Sequence, residues 1–227
     1  LIYFYGDIYK KDFLKTEKQT NDFVIRAIGS NISLDRFYKD TDPLSTINEL
    51  IKISKPNKDK KTLFLWPEGI IPGILQDELI NYQNLFKNNF NNNHLIGLGI
   101  NQQLIYNENE KFYNSFSIYD HKLNLINSYY KINLVPFGEF LPFERLLKKI
   151  GLKTITNNYN SFSNGDKRNS MNIEMENISL KILPLICYEI IYSGKLYDND
   201  NFDYLINISE DGWFGKSIGP KQHFVHS

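Results

Sequence analysis

Short apolar runs of strand length alternate with segments of helical periodicity along this chain, and this alternation constrains its fold more than any other feature. The strand-length runs lie at 23–29, 61–66, 94–100, 112–119, 123–130, 180–186 and 204–208. Between them, Asp42 and Pro43 have the residue types that cap and begin a helix, and residues 79–90 repeat large apolar side chains at helical spacing. Alternation of this kind predicts an α/β architecture.

The charge balance and the cysteine content exclude several classes of protein. The 227 residues carry 26 Lys and Arg against 26 Asp and Glu, so the chain lacks the cationic excess that a nucleic-acid partner would require. The single cysteine excludes an internal disulfide framework, and no group of Cys and His has zinc-ligand spacing. We therefore predict neither a metal nor another cofactor. No apolar stretch approaches the roughly 18–20 residues that a membrane crossing requires.

One segment interrupts the alternation. Residues 140–178 contain a short amphipathic stretch and then polar residues over 154–170. A connection of this length without periodicity is typical of either a functional lid or a flexible loop.

The chain starts at Leu1 rather than Met, which we interpret as the mark of a fragment or a processed product.

Cys187 is the first candidate for chemistry. It follows the apolar strand at 181–186, at a corner where a strand gives way to a turn or a helix. Such a corner exposes a side chain at the carboxyl end of a sheet, and a helix N-terminus there lowers the pKa of a thiol. The alternative is a buried, inert cysteine that packs as a small apolar residue.

Glu68 and Lys131 occupy comparable positions at the ends of strands. Glu68 follows the strand at 61–66, where a carboxylate suits proton transfer, and Lys131 follows the strand at 123–130, where an ammonium suits oxyanion stabilisation. Each also has an ordinary interpretation, as a turn carboxylate in water and a solvated strand-end charge. Taken singly, neither residue decides the function.

Several blocks of this sequence resemble those of the carbon–nitrogen hydrolase (nitrilase) superfamily. These blocks contain, in the same order as in the family, Glu68, Lys131 and Cys187. The blocks occupy residues 65–72, 113–115, 130–142, 162–166, 186–189, 207–215 and 217–223. The long blocks are most similar to the apolipoprotein N-acyltransferase branch, whose members add the third acyl chain to bacterial lipoproteins. The resemblance covers about residues 23–227.

The resemblance implies an architecture and a location. Residues 23–227 would form a four-layer α-β-β-α sandwich, truncated at the C-terminus before the strands that close the family fold. Residues 1–22 would be a linker, which we also consider as the stump of a preceding membrane helix. Family members lie in the bacterial inner membrane with the catalytic domain facing the periplasm, and the helices that hold them there are absent from this chain.

The resemblance also implies the roles of the site residues. Glu68 would be the base, Cys187 the nucleophile, and Lys131 an oxyanion donor together with the backbone N–H of Tyr188. Glu139 and Glu189 fall on positions that the family requires. Glu139 beside Lys131 makes physical sense, because a buried lysine needs a compensating charge.

The implied reaction is a two-step acyl transfer through a thioester on the cysteine. A phospholipid would donate the acyl chain, and the amino group of a diacylglyceryl-modified lipoprotein would accept it. We expect segment 140–165 to form an apolar arm that faces the lipid, although its residues could equally pack in the core. The predicted substrate-binding residues are Phe140, Leu141, Phe143, Leu146, Trp213 and Phe214.

Two residue positions depart from the family pattern. Glu210 stands where the family usually has Asn, which predicts an extra charge near the site, and the loop after the first strand lacks the usual Trp, for which Phe37 or Tyr38 would stand in. The alternatives to an acyltransferase are a soluble nitrilase-type amidase, in which water replaces the amine, and an inactive remnant of a split enzyme.

Overall fold

The computed structural model describes residues 2–15, 23–37, 42–106, 109–143, 161–192, 196 and 201–226. It confirms the mixed α/β architecture that the alternating pattern predicts. The helices are α1 (Ile2–Lys15), α2 (Pro43–Ser54), α3 (Gln83–Asn89) and α4 (Gly219–His226). The strands are β1 (Phe23–Ala27), β2 (Lys61–Leu65), β3 (His94–Tyr106), β4 (Asn109–Asp120), β5 (Leu125–Tyr130), β6 (Met171–Met175), β7 (Ile178–Ile186) and β8 (Tyr204–Ile208).

The first sheet contains five strands in the order β1-β2-β3-β4-β5. β1, β2 and β3 are parallel, whereas β4 and β5 each pair antiparallel with the preceding strand. The parallel connections carry the helices, as crossovers between parallel strands usually do. Helix α2 begins as the sequence predicts, because the Asp42 side chain accepts a hydrogen bond from the Leu44 N–H and Pro43 takes the first helical position.

The helices cover one face of this sheet. Ile47 and Leu50 of α2 and Phe86 of α3 belong to one buried cluster with Phe64 of β2 and Ile96 of β3. The large apolar surface removed from water here is the main stabilising contribution of this layer.

A second sheet covers the opposite face. β6 and β8 flank β7, with β6 antiparallel and β8 parallel to it. Phe116 and Ile118 of β4 pack in one cluster with Ile182 and Ile186 of β7 and Ile206 of β8. The described residues therefore form a helical layer, a first sheet and a second sheet.

Strand β6 corrects the interpretation of 140–178 as only a lid or a loop. Met171, Ile173 and Met175 are buried and alternate with the exposed Asn172 and Glu174. This is the two-residue period of a strand with one face on the core. Because the alternate positions are polar, the segment contains no continuous apolar run.

The region predicted as a linker, 1–22, contains helix α1 over Ile2–Lys15. Its described side chains, which include Phe4, Ile8 and Leu14, are exposed. Among the described helices of the protein, none combines the length and the apolar character needed to cross a bilayer.

Candidate active site

Glu68, Lys131 and Cys187 meet at one point between the two sheets. Glu68 and Lys131 follow strands β2 and β5 of the first sheet, and Cys187 follows β7 of the second. The Nζ of Lys131 lies 3.4 Å from Oε1 of Glu68. The thiol of Cys187 lies beside the carboxylate of Glu68 and the hydroxyl of Ser209. Residues far apart in sequence therefore form one compact cluster.

The turn that carries Glu68 lies directly against strand β3. The Gly99 N–H donates to the Pro67 carbonyl at 3.3 Å, and a Cβ added at Gly99 would stand 2.5 Å from the Glu68 Cα. Only glycine permits this approach, because a contact that short forces the backbone apart. Gly99 thus lets β3 hold the carboxylate at the end of β2.

Lys131 is a buried cation between two carboxylates. Its side chain is 1% exposed, and Nζ donates to Glu139 Oε1 at 3.0 Å as well as facing Glu68. Burial by itself would lower the pKa of Lys131, but the charges of Glu68 and Glu139 outweigh it and raise that pKa well above its usual range. The lysine therefore stays protonated at neutral pH and can donate to a developing oxyanion.

The environment of Cys187 contradicts the expectation of a lowered thiol pKa. Cys187 begins the short 3-10 helix Cys187–Ile191, yet burial and then the charge of Glu68 raise its pKa well above its usual range. Lys131 acts in the opposite direction but does not outweigh them. The resting nucleophile is thus a neutral thiol beside a carboxylate, an arrangement that needs Glu68 as a general base.

Asn114 is a site residue that sequence reasoning missed. Its Nδ2 donates to Glu68 Oε1 at 2.7 Å and to Glu139 Oε1 at 2.8 Å, so one amide bridges the two carboxylates. Its backbone carbonyl accepts from the Lys131 N–H at 2.9 Å. The available signal was the block at 113–115, where an amide side chain stands in the buried part of a strand between aromatic residues.

Glu139 lies beside the cluster rather than against the nucleophile. Its Oε1 contacts Lys131, and its Oε2 accepts from the Val135 N–H at 2.8 Å. The carboxylate thereby ties the loop at 132–139 to the lysine. The supporting role that the resemblance implies for Glu139 stays a prediction.

Glu189 is fully buried and saturated with hydrogen bonds. Its donors are the Tyr129 hydroxyl, the Arg168 guanidinium and the N–H groups of Ile132, Asn133 and Ile186, all at 2.8–3.0 Å. It therefore connects the loop that follows Lys131 to the turn that carries Cys187. Arg168, which neutralises this carboxylate, is a second residue that sequence reasoning missed.

Glu210 does not add a free charge to the site. Its carboxylate forms an ion pair with the buried Arg36, and its backbone N–H donates to Glu68 Oε2 at 3.3 Å. Arg36 also lies over the ring of Phe37, which packs against Trp213 with ring centroids 4.6 Å apart. Phe37 thus contributes an aromatic ring beside this loop, whereas Tyr38 lies outside the described residues.

The residues predicted to bind lipid divide into two groups. Leu141 is only 5% exposed, and Phe140 packs against Phe112, Leu134 and Phe162 in the interior. Phe143, in contrast, is 85% exposed, and Trp213 and Phe214 are exposed as well. Leu146 lies outside the described residues. The side chains that an external ligand can reach are therefore the second group.

Tyr188 presents two separate features. Its ring is exposed and stacks on the ring of His223 with centroids 6.4 Å apart. Its backbone N–H belongs to the peptide that joins it to the nucleophile Cys187. The oxyanion role predicted for that N–H remains a prediction.

The sequence model of the carbon-nitrogen hydrolase family matches residues 26–227, and the chain belongs to this family. The chain is accordingly an enzyme domain of the nitrilase superfamily. The cluster of Glu68, Lys131 and Cys187 lies within the matched region.

The curated relatives that the chain matches share one enzyme name. The chain is similar to proteins named apolipoprotein N-acyltransferase from Rhodopseudomonas palustris (42% identity over 49% of this chain), Vibrio vulnificus (34% over 78%) and Wigglesworthia glossinidia brevipalpis (32% over 92%). It spans 20%, 35% and 41% of the length of these three proteins.

Solved structures of amidases also resemble this chain. An amidase from Nesterenkonia sp. AN1 matches with 10% identity and a TM-score of 0.48, over 85% of this chain and 70% of its own. An N-terminal amidase matches with 15% identity and a TM-score of 0.43, over 73% and 40%.

Proposed function

We propose that this chain is the catalytic domain of an apolipoprotein N-acyltransferase. In the whole protein, the domain would be a four-layer α-β-β-α sandwich of the nitrilase type. The observation that carries the proposal is the protonated Lys131, held between Glu68 and Glu139 and facing Cys187. Relatives at 32–42% identity that bear the name of this enzyme support the branch.

The first half-reaction forms a thioester. Glu68 accepts the proton of the Cys187 thiol while Sγ attacks the carbonyl carbon of a phospholipid acyl ester. Lys131 Nζ and the Tyr188 N–H stabilise the tetrahedral oxyanion. When this intermediate collapses, the ester C–O bond breaks, and Glu68 returns the proton to the departing lysophospholipid oxygen.

The second half-reaction transfers the acyl chain to nitrogen. The α-amino group of a diacylglyceryl-modified lipoprotein attacks the thioester carbonyl, and Glu68 takes a proton from the attacking nitrogen. The C–S bond then breaks, the proton passes to the Cys187 sulfur, and an amide leaves the site. The starting state of Glu68, Lys131 and Cys187 is restored, as ping-pong kinetics require.

The surroundings of the site fit an apolar acyl donor. Phe143, Trp213 and Phe214 are exposed, and we assign them to contact with the lipid. Phe140 and Leu141, in contrast, are packed in the interior of the domain. We place the whole protein in the bacterial inner membrane, held by segments outside these 227 residues, with this domain in the periplasm.

The proposal is tested by supplying the chain with labelled phospholipid in mixed micelles and a peptide that begins with diacylglyceryl-cysteine. We expect an N-acylated peptide with the wild type and none with Cys187→Ala. A peptide with an acetylated N-terminus is the matched control, because it has no amine to accept the acyl chain.

Two results would contradict the proposal. Hydrolysis of small amides without acyl transfer would identify an amidase. Inertness of a folded sample toward both kinds of substrate would identify an inactive remnant. In both assays, circular dichroism of the same sample establishes that the protein is folded.

A further inference from the structure

The backbone carbonyl of Cys187 accepts hydrogen bonds from two side chains on different elements. Asn207 Nδ2 on β8 lies 3.2 Å from this oxygen, and His223 Nε2 on α4 lies 3.1 Å from it. Cys187 itself has φ of +52°, in the left-handed region that is unfavourable for a residue with a Cβ. A strained residue persists only when the surrounding structure holds it.

His223 is held in turn by its own partners. Its side chain is 5% exposed, and Nδ1 lies 2.7 Å from Asp211 Oδ1, which also accepts from the Ser209 hydroxyl at 2.6 Å. The imidazole ring stacks on Tyr188. The orientation of Nε2 toward the Cys187 carbonyl is therefore fixed from both sides of the ring.

This arrangement excludes His223 as the base for the thiol. A carbonyl oxygen can only accept a hydrogen bond, so His223 Nε2 carries a proton and donates it to Cys187. A nitrogen in that state has no lone pair with which to take the proton of Sγ. Although an aspartate, a histidine and a cysteine lie together here, Glu68 remains the only proposed base.

The carbonyl of Cys187 and the N–H of Tyr188 are the two ends of one peptide unit. Because a peptide is planar and trans, holding its oxygen also fixes the direction of its N–H. Hydrogen bonds to the oxygen further polarise that N–H and strengthen it as a donor. The structure thus connects His223 and Asn207 to the group that would stabilise the oxyanion.

We propose that His223 and Asn207 are positioning residues that anchor the Cys187–Tyr188 peptide, with Asp211 orienting the histidine. The anchor keeps the nucleophile in its left-handed conformation and aims the Tyr188 N–H at the reacting carbonyl. The second part rests on the proposed function, whereas the anchor itself is a property of the fold.

The anchor can be tested without any substrate. The chain has one cysteine, which a tyrosine follows, so carbonyl-¹³C-cysteine and ¹⁵N-tyrosine labelling gives a single carbonyl–amide correlation in an NMR spectrum. We expect His223→Leu to move the carbonyl shift upfield, as loss of a hydrogen bond does, and His223→Gln to move it less, because glutamine still offers an N–H. The matched control His121→Leu should leave the signal in place.

A second variant guards against a folding defect in His223→Leu. Asn207→Asp has nearly the same shape but cannot donate, and it lies on a different element. We expect it to move the same carbonyl signal upfield. If the folded variants at both positions leave the correlation unchanged, the anchor is overturned.

Two reactions of Cys187 then test the effect on catalysis. We expect acylation by a 4-nitrophenyl acyl ester to slow about 10- to 100-fold in His223→Leu, because the oxyanion donor is misaligned. Alkylation by iodoacetamide, which forms no oxyanion, should stay within about threefold of the wild type. His223→Gln should recover most of the acylation rate.

The outcomes separate this proposal from the proposed function. Equal slowing of acylation and alkylation, without recovery in His223→Gln, would mark His223 as merely structural and overturn the positioning role. A wild type that is alkylated but never acylated would instead contradict the proposed function. In that case the NMR signal alone decides whether the anchor exists.

Discussion

Two buried carboxylates at the meeting point of the sheets, Glu189 and Glu68, have opposite surroundings. Glu189 is fully buried and receives hydrogen bonds of 2.8–3.0 Å from five different residues, one of them the cationic Arg168. Glu68 has one short contact, to Asn114 at 2.7 Å, while its contacts with Lys131 and the Glu210 N–H are 3.4 and 3.3 Å long.

The difference separates a carboxylate that holds the fold from one that is free to react. Donors surround Glu189 on every side and hold its carboxylate in place. Glu68 can accept a proton from the thiol, because its remaining contacts are long and Lys131 keeps its second carboxylate partner, Glu139. Two buried carboxylates in one region of the fold therefore do not have the same role.

The largest expected effect is the loss of acylation in Glu68→Gln. Glutamine keeps the shape of the side chain but cannot take the thiol proton, so the rate of thioester formation should fall by about 10²- to 10⁴-fold. The rate is measured with a 4-nitrophenyl acyl ester in a stopped-flow experiment. Thermal unfolding should change little, and a large loss of stability would break the distinction between the two carboxylates.

Glu189→Gln should show the reverse pattern. It leaves Arg168 buried without its charged partner, so we expect the free energy of unfolding to fall by about 3–5 kcal/mol. Urea denaturation followed by circular dichroism measures this change. In a double-mutant cycle with Arg168→Gln, the losses should be far from additive, and additive losses would show that the two residues do not act as a pair.

The thiol should respond to Glu68→Gln in the direction opposite to acylation. The charge of Glu68 raises the pKa of Cys187, so its removal leaves Lys131 to lower that pKa and increase the thiolate fraction. We expect alkylation by iodoacetamide at pH 8 to become a few-fold to about tenfold faster. Slower alkylation in the variant would mean that Glu68 already withdraws the thiol proton in the resting enzyme.

The smallest effect concerns a region away from the site. His94 is fully buried, Nε2 lies 2.9 Å from the Asn57 carbonyl, and Nδ1 accepts from the Asn91 N–H. Burial lowers the pKa of His94, so the unfolded chain binds a proton at higher pH than the folded protein does. The associated stability is present above about pH 6.5 and is lost as the pH falls through the folded-state pKa.

Urea midpoints measured between pH 7.5 and 5 should therefore fall more steeply for the wild type than for His94→Asn. Identical slopes of the urea midpoint against pH would show that His94 does not contribute to the loss of stability in acid. His94→Asn should not change the reactivity of the site, because the hydrogen-bond partners of the His94 ring are Asn57 and Asn91, outside the active-site cluster.

The sequence predicted the strands and helices that have a clear apolar pattern, and the candidate site residues that follow those strands. Glu68, Lys131 and Cys187 became candidates because each follows an apolar strand, and the resemblance to the family assigned their roles. The structure brings all three together. Asn114 lies in the middle of a buried strand, and Arg168 lies in an irregular segment. Their roles depend on partners distant in sequence, which no local period reveals.

The pKa of the thiol and the net charge near the site were the other properties that local sequence could not predict. The strand-to-helix corner at Cys187 suggested a lowered thiol pKa, but burial and a carboxylate from the first sheet raise it instead. In the same way, the extra charge predicted at Glu210 is compensated by Arg36, which lies in a short 3-10 helix 174 residues earlier in the chain.

Intact-mass spectrometry after incubation with phospholipid vesicles tests the central claim most directly. The account predicts an added acyl mass on the wild type, removable by hydroxylamine as a thioester is, and no added mass on Cys187→Ala. A folded wild-type chain that gains no mass, or a Cys187→Ala chain that gains the same mass, would contradict Cys187 as the acyl-carrying nucleophile.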